Sequence, residues 1–432
     1  MIMALKVYKG TSLVGLLDMQ PNERFYGFTY DHAYVSKPGS LALSLSLPLT
    51  PSRFPDTQTL PFFEGLLPEG NSREHIARRL SISSTSPAKI LAALGRDCAG
   101  DILIINDDEE VDQSEPEYTP LKGGIASVAE NPYEEIVRLQ EETRLSLAGA
   151  QEKIALFHKD GEPLDEGWFI PLFGAPSTHI IKPGVLDQRY PHLALNEFLC
   201  LRAAAACGIP TVSCDILFQK TPLLIVKRYD RVNGGVMING LQRISRIHQE
   251  DCCQACGVDS MRKYQRDGGP GFDDIRTILI QHAQFPMRDL ELFVKQGLFN
   301  YLIGNCDAHA KNFSLLQNPE GTVSLAPAYD LLSTAIYDGS YGSKLNRSMA
   351  MRIGLHENID RIGRADFSQF AKDVHLRPNQ IKLFAEELIR GLEAAFQEAA
   401  KEAQAQGFPD SDEIISRILK NSNNRADILL SL

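Results

Sequence analysis

Between residues 153 and 229, five short apolar segments follow one another with a single helix among them. They are Lys153–His158, Trp168–Leu172, His179–Lys182, Ser213–Gln219 and Leu223–Tyr229, each rich in β-branched or aromatic residues. The interruption, His192 to Cys207, has the period of an amphipathic helix and is stopped by Gly208 and Pro210. From about Asp251 the pattern turns mostly helical, and its longest helix is expected from Asn379 to Gln406, rich in Ala, Glu, Leu and Gln. Strands gathered in one block and helices in the next suit a two-lobed α+β architecture and exclude an alternating βαβ sheet.

The first hundred residues form a further β-rich unit. Residues 3–9 and 12–17 flank Gly10-Thr11 as a hairpin, Arg24 to Val35 reads as a strand, and Leu41–Leu47 alternates apolar residues with serine at period two. Helices are expected from Asn71 to Ser81 and from Ser86 to Leu94. The stretch from Asn106 to Glu117 holds seven acidic residues and almost nothing apolar, so it reads as a linker or exposed loop. The expected organisation is a β-rich subdomain at 1–108, an acidic linker at 109–124, a β-rich lobe at 125–232 and a helical lobe at 233–432. Basic minus acidic residues gives 44 − 55 = −11, which argues against binding nucleic acid through the overall field. No apolar run reaches the ~18 residues of a membrane span, and the start lacks the pattern of an export signal. Eight scattered cysteines with no such signal point to a reducing cytoplasm.

The segment Asp307-Ala-His309-Ala-Lys311-Asn312 sets an Asp and an Asn five residues apart. Transfer of phosphate from ATP needs a carboxylate that orients the acceptor close to an oxygen ligand for Mg²⁺, and protein kinases supply both at this separation. Asp307 would take the acceptor's proton, Asn312 would hold metal, and His309 and Lys311 would lie near the phosphate. Taken alone, the string equally describes a polar loop capping a helix. Asp330, in Tyr329-Asp330-Leu-Leu, lies 18 residues beyond Asn312, where a second metal-binding carboxylate belongs; by itself it is also an ordinary turn residue. Lys182 ends an apolar strand, as solvated edge lysines do, but Glu197 on the following helix could pair with it and aim its ammonium at the α/β-phosphates. A phosphate-covering loop should precede that lysine. Arg144-Leu-Ser146-Leu-Ala148-Gly149-Ala150-Gln151-Glu152-Lys153 is the candidate, with small residues that let backbone N–H groups approach an anion. In order, Lys182, Glu197, Asp307, Asn312 and Asp330 form a phosphoryl-transfer set.

The strings Leu43–Leu49, Phe62-Phe-Glu-Gly-Leu-Leu-Pro68, Gly95-Arg-Asp97, Ser146–Lys153, His179–Lys182, Asp267-Gly-Gly-Pro-Gly271 and Asp307–Phe313 resemble those of the HipA family. These are the serine/threonine-kinase toxins of bacterial toxin–antitoxin pairs, and the likeness covers nearly the whole chain. It implies a kinase-like fold with a β-rich N-lobe and a helical C-lobe, preceded by the N-terminal subdomain. It implies ATP and Mg²⁺ as cofactors and an ATP site lined by Ala148, Gly149, Ala150, Gln151, Glu152, Lys153, Lys182, Lys227, Arg228, Tyr229, His309, Ala310, Lys311, Asn312, Tyr329 and Asp330. Asp307, Lys182 and Glu197 would be catalytic, and Asn312 and Asp330 would be the metal ligands. Self-inactivation by autophosphorylation at Ser146 is implied, as are a small helix-turn-helix antitoxin (HipB-like), operator DNA beside it, co-repression, and glutamyl-tRNA synthetase as target. The sequence departs from the family at Lys227, where relatives usually carry Glu.

Two other readings remain open. The Asp-x-His-x-x-Asn string is also similar to that of phosphoinositide kinases, which leaves a lipid or small-molecule acceptor, though no basic amphipathic helix suits a membrane. A non-catalytic co-repressor is the third. Cys253-Gln-Ala-Cys256 lacks further ligands for zinc and reads as buried helix cysteines. Asp267–Gly271 has no following Lys-Ser/Thr and reads as a turn. Lys344, Arg347, Arg352, Arg361 and Arg364 read as a solvated basic cluster that could touch DNA.

Overall fold

The computed structural model describes residues 4–19, 25–111, 115–143, 146, 148–149, 151–184, 190–337 and 346–432. The chain divides into two compact units. The first comprises Met1–Pro183, Lys227–Ser260 and Leu316–Thr322, and the second Gly184–Val226, Met261–Leu315 and Val323–Leu432.

In the first unit, Gly10 turns the hairpin at φ +59°, a conformation cheap only for glycine. The paired strands Ala4–Lys9 and Ser12–Met19 extend to a five-stranded sheet through Phe25–Tyr30 and Phe54–Pro55 on one side and Ile102–Asn106 on the other, with every pair antiparallel. Leu5 and Val7, two residues apart, are buried together with Val14, Leu17, Phe28 and Ile104. Helices Asp56–Gly65 and Pro87–Leu94 add Phe62, Phe63, Ile90 and Leu91 to that core. A second sheet orders its strands Tyr118–Pro120, Trp168–Pro171, Ile154–His158 and His179–Pro183, again antiparallel.

Four stretches depart from expectation. The strand expected through Val35 stops at Tyr30, because the Asp31 carboxylate accepts the N–H groups of Ala33 and Tyr34 at 2.9 and 3.0 Å and starts the helix His32–Ser36. Leu41–Leu47 is no strand; it makes only an isolated bridge between Ser44 and Leu47. Its hydroxyls serve as tethers instead, Ser44 donating to Glu250 at 2.5 Å and Ser46 to the Gln254 carbonyl at 2.7 Å. Within 109–124, Tyr118–Pro120 is sheet rather than linker, and the Tyr118 ring sits 4.3 Å from that of Phe157. Beyond residue 230 the unit also holds the hairpin Arg231–Ile238/Leu241–Arg246 in a region expected to be helical. Asn239 and Gly240, at φ +51° and +80°, are the Asn-Gly turn such hairpins favour. Cys252 and Cys253 lie buried in the short helix Cys252–Ala255.

The second unit is mainly helical. The helix Pro378–Ala405 buries Ile381, Ala385, Leu388, Leu392, Phe396 and Ala403 at helical period and packs on Leu193–Ala206 and Ser411–Leu430. The helix Pro286–Ile303 is buried on all sides over its last residues, Leu298–Ile303. Among the described residues no helix is long and apolar enough to cross a membrane.

Candidate active site

The helix Pro286–Ile303 ends at Gly304, whose φ of +76° closes it and releases the chain into the loop carrying Asp307. Asn305 organises that loop. Its amide donates to Asn300 Oδ1 at 2.9 Å and to the Asp330 carbonyl at 3.4 Å, while its Oδ1 accepts the Asp307 N–H at 3.1 Å. Thr334 adds a second tie, accepting the Cys306 N–H at 2.8 Å and donating to the Gly304 carbonyl at 3.0 Å. The 304–307 turn is therefore bonded directly to the segment that begins at Asp330. Asn196, wholly buried on the helix Leu193–Ala206, holds that segment from behind by exchanging hydrogen bonds of 2.9 Å with both backbone groups of Ser333.

Hydrogen bonds tie Asp307 to Asn312 and to the Asp330 segment here. The Asn312 amide donates to the Asp307 carbonyl at 3.2 Å, which leaves its Oδ1 as the acceptor end. Asp330 holds φ +51°, uncommon for a residue with a side chain and frequent at functional sites. Tyr329 fixes the approach to it, its hydroxyl lying 2.7 Å from the Lys311 carbonyl and 2.6 Å from Ser314 Oγ. Asp307 is exposed, whereas His309, Ala310 and Lys311 are buried. The described residues contain no cluster of three or more metal-ligating side chains, so this is not an all-protein cage. One carboxylate and one amide oxygen fit Mg²⁺, which is characteristically bound through one or two carboxylates with phosphates and water completing its shell.

The expected phosphate loop and lysine belong to the first unit. Ser146 is fully buried; its N–H donates to the Asp97 carbonyl at 3.2 Å and its Oγ to the Leu66 carbonyl at 2.8 Å. Gly149 adopts φ +109° and bridges to Pro68, and a Cβ there would stand 2.7 Å from Lys153 Nζ. Gln151 carries a buried amide nitrogen without a partner among the described residues, a donor suited to an anion. Glu152 reaches His75 at 3.2 Å, and the Lys153 carbonyl accepts from Gln140 at 3.1 Å. Ala148 is half-buried, while Arg144, Leu145, Leu147 and Ala150, like Lys344, lie outside the described residues. Lys182 is buried at the end of its strand, and Glu197 is buried beside Asn196 in the other unit.

Lys227 is exposed at its strand's end and the Tyr229 hydroxyl donates to Gln249, but the Arg228 side chain is spent elsewhere. Its guanidinium is buried between Asp230 at 2.7 Å and Asp97 at 3.4 Å, and the Arg228 backbone N–H donates to the Thr178 carbonyl. Arg231 and Arg246 reach Asp97 at 2.8 and 3.0 Å, and Ser177 donates to it at 2.7 Å. Burial alone would push the Asp97 pKa up; Arg231, Arg246 and Arg228 outweigh it and hold the carboxyl well below its usual range. The Arg228 side chain is thus a structural strut within the first unit. The basic cluster is also partly neutralised, since Arg347 pairs with Asp360 through two hydrogen bonds of 2.5 Å.

Family models for the HipA N-terminal domain and the HipA-like C-terminal domain match residues 5–105 and 145–396. The chain belongs to the HipA family. Y4mE of Sinorhizobium fredii, a protein named as a kinase, is 37% identical over 354 residues, 80% of each chain. The serine/threonine-protein kinase toxin HipA of Shewanella oneidensis is 30% identical over 350 residues, 78% of this chain and 76% of that one. In the solved complex of Shewanella HipA with HipB and operator DNA, a chain with 24% identity superposes with a TM-score of 0.79 over 99% of both chains. The α+β, kinase-like fold expected from the sequence is borne out by that match. Membership makes the chain a kinase of a toxin–antitoxin family, and such kinases use ATP with a divalent metal.

Proposed function

We propose that this HipA-family chain is the toxin of its pair, transferring the γ-phosphoryl of Mg·ATP to serine or threonine and switching itself off at Ser146. The reading is supported by one observation: Asn305 bonds the backbone of Asp307 to that of Asp330, and the Asn312 amide donates to the Asp307 carbonyl, so that the loop and the Asp330 segment are tied to each other. Asp307 accepts the acceptor's proton as oxygen attacks phosphorus. Asn312 and Asp330 hold Mg²⁺, which neutralises charge on the β- and γ-phosphates when bound. Lys182, paired with Glu197, grips the α/β-phosphates. The backbone of Ala148–Lys153 and the Gln151 amide cover the phosphates, and Lys227, Tyr229, His309, Ala310 and Lys311 line the remainder.

Ser146 supplies the off-switch. Its hydroxyl is enclosed and bonded to Leu66, so it takes phosphate only when the loop swings out. A group of about −1.5 to −2 charge does not fit back into that enclosure, nor beside a triphosphate. The resemblance supplies the rest: a HipB-like helix-turn-helix antitoxin, operator DNA beside it in co-repression, glutamyl-tRNA synthetase as target, and a cytoplasmic setting.

The test is phosphate incorporation from labelled Mg·ATP, with intact-mass measurement. Wild type should gain one phosphate that maps to Ser146. Asp307→Asn should still bind ATP yet lose transfer by ~10²–10⁴-fold, the usual contribution of a general base. Transfer at the wild-type rate in that variant removes Asp307 from the mechanism.

A further inference from the structure

The glycine-rich segment Asp267–Gly271 takes no part in the ATP site, yet it builds a tightly specified turn. Gly268 sits at φ +89°, a backbone conformation that residues with side chains rarely adopt, and a Cβ on Gly269 would stand 2.2 Å from the Arg262 carbonyl oxygen, so conformation at the first position and space at the second both call for glycine. The N–H groups of Asp267 and Gly269 both donate to the Tyr264 carbonyl, at 2.9 and 3.0 Å. Gln265 pins the turn by accepting the Arg352 N–H at 2.7 Å. These constraints converge on Tyr264. Its ring stands edge-on to His309 with centroids 5.5 Å apart, and Lys263 and Arg266 lie over it at 5.5 and 5.2 Å. Its hydroxyl donates to Asp307 Oδ1 at 2.8 Å.

We infer that Tyr264 is a positioning residue for phosphoryl transfer, a conclusion that rests on Asp307 being the base. Asp307 is exposed, and an exposed carboxylate left to itself rotates among several conformers. A donor fixed by backbone and held by ring contacts selects one of them. Only one oxygen is used: Oδ2 accepts from none of the described residues, and an ionised carboxylate has room for a further donor there. The acceptor hydroxyl binds at Oδ2 while Tyr264 steadies Oδ1. The glycine turn, 43 residues upstream of Asp307 at its tyrosine, thereby acquires a role in the chemistry.

The experiment compares full-length wild type, Tyr264→Phe and Asp307→Asn, using labelled Mg·ATP with casein as a general acceptor and the chain itself as a second. Phenylalanine keeps the ring and its contacts and removes only the donor. Loss of one hydrogen bond to an ionised group should lower kcat about ten- to a hundredfold, with the KM for ATP and the thermal midpoint unchanged. A rate equal to or above wild type overturns the inference, and so does a fall in rate accompanied by weaker ATP binding or a lower midpoint, which marks a merely structural tyrosine. If wild type transfers no phosphate, or Asp307→Asn transfers it normally, the assignment of the base fails first and takes the inference with it.

Discussion

Asp97 and Asp307 each follow a helix that closes on glycine, Pro87–Leu94 with Gly95 in one case and Pro286–Ile303 with Gly304 in the other. From that shared start they diverge. Asp97 is buried under three guanidinium groups and a serine hydroxyl, with every charge near it answered by another side chain. Asp307 is exposed and takes its hydrogen bond from one tyrosine. A carboxylate saturated by its own protein has no capacity left for a ligand, whereas one steadied on a single oxygen keeps half its capacity free. Charge type does not separate structure from chemistry here; the degree of satisfaction does.

The sharpest way to break this contrast is to remove Asp97. Asp97→Ala leaves the buried Arg228 and Arg231 with Asp230 as their remaining carboxylate and takes the partner from the half-buried Arg246, and cutting one partner from a buried ion network costs about 3–5 kcal/mol. Denaturant unfolding should show that loss, while Asp307→Asn should leave the same curve within about 0.5 kcal/mol, as exposed substitutions do. Equal losses in the two variants would erase the distinction.

How far this was legible in sequence follows the reach of each interaction. The five strands from 154 to 227, the helix Leu193–Ala206 and the long helix Pro378–Ala405 announce themselves because their periodicity is local. The order of Asp307, Asn312 and Asp330 is legible because one loop and its sequel carry them. The surroundings of Arg228 are not legible because its partner Asp97 lies 131 residues away, and a cation in a hinge looks the same whether it meets phosphate or carboxylate. Leu41–Leu47 misleads for the same reason, since its serines alternate as a strand's would but answer Glu250 and Gln254. The hairpin around Asn239-Gly240 did carry a local signal, an Asn-Gly pair between the apolar residues Ile238 and Leu241.

A smaller effect sharpens the comparison within the first unit, where ionisation is either compensated, as at Asp97, or suppressed, as at His179. Burial, then the nearby charges of His158 and Lys227, bring the His179 pKa down to about 3. The native protein therefore holds fewer protons there than the unfolded chain, and that stabilisation is complete above the unfolded pKa of ~6.5. It is lost as pH falls towards 3, at about 1.4 kcal/mol per unit. Unfolding free energies measured between pH 6.5 and 4 should slope less in His179→Gln than in wild type. Parallel slopes would mean that the imidazole is charged in the fold.

Smallest of all should be the effect at Arg138, which resembles Arg228 in chemistry and differs in surroundings. Its guanidinium pairs with Glu135 and Glu142 at 2.6 Å each on one partly exposed helix face. Both geometries are good, yet water competes for every charge and screens the attraction, so Arg138→Ala should cost about 0.5 kcal/mol or less, and less still at 1 M salt. Arg228→Ala, by contrast, exposes no water to Asp97 and Asp230 and should cost several times more. If thermal denaturation ranks the two arginines equally, satisfaction by buried partners is not what holds the Asp97 centre together, and the contrast with Asp307 loses its physical basis.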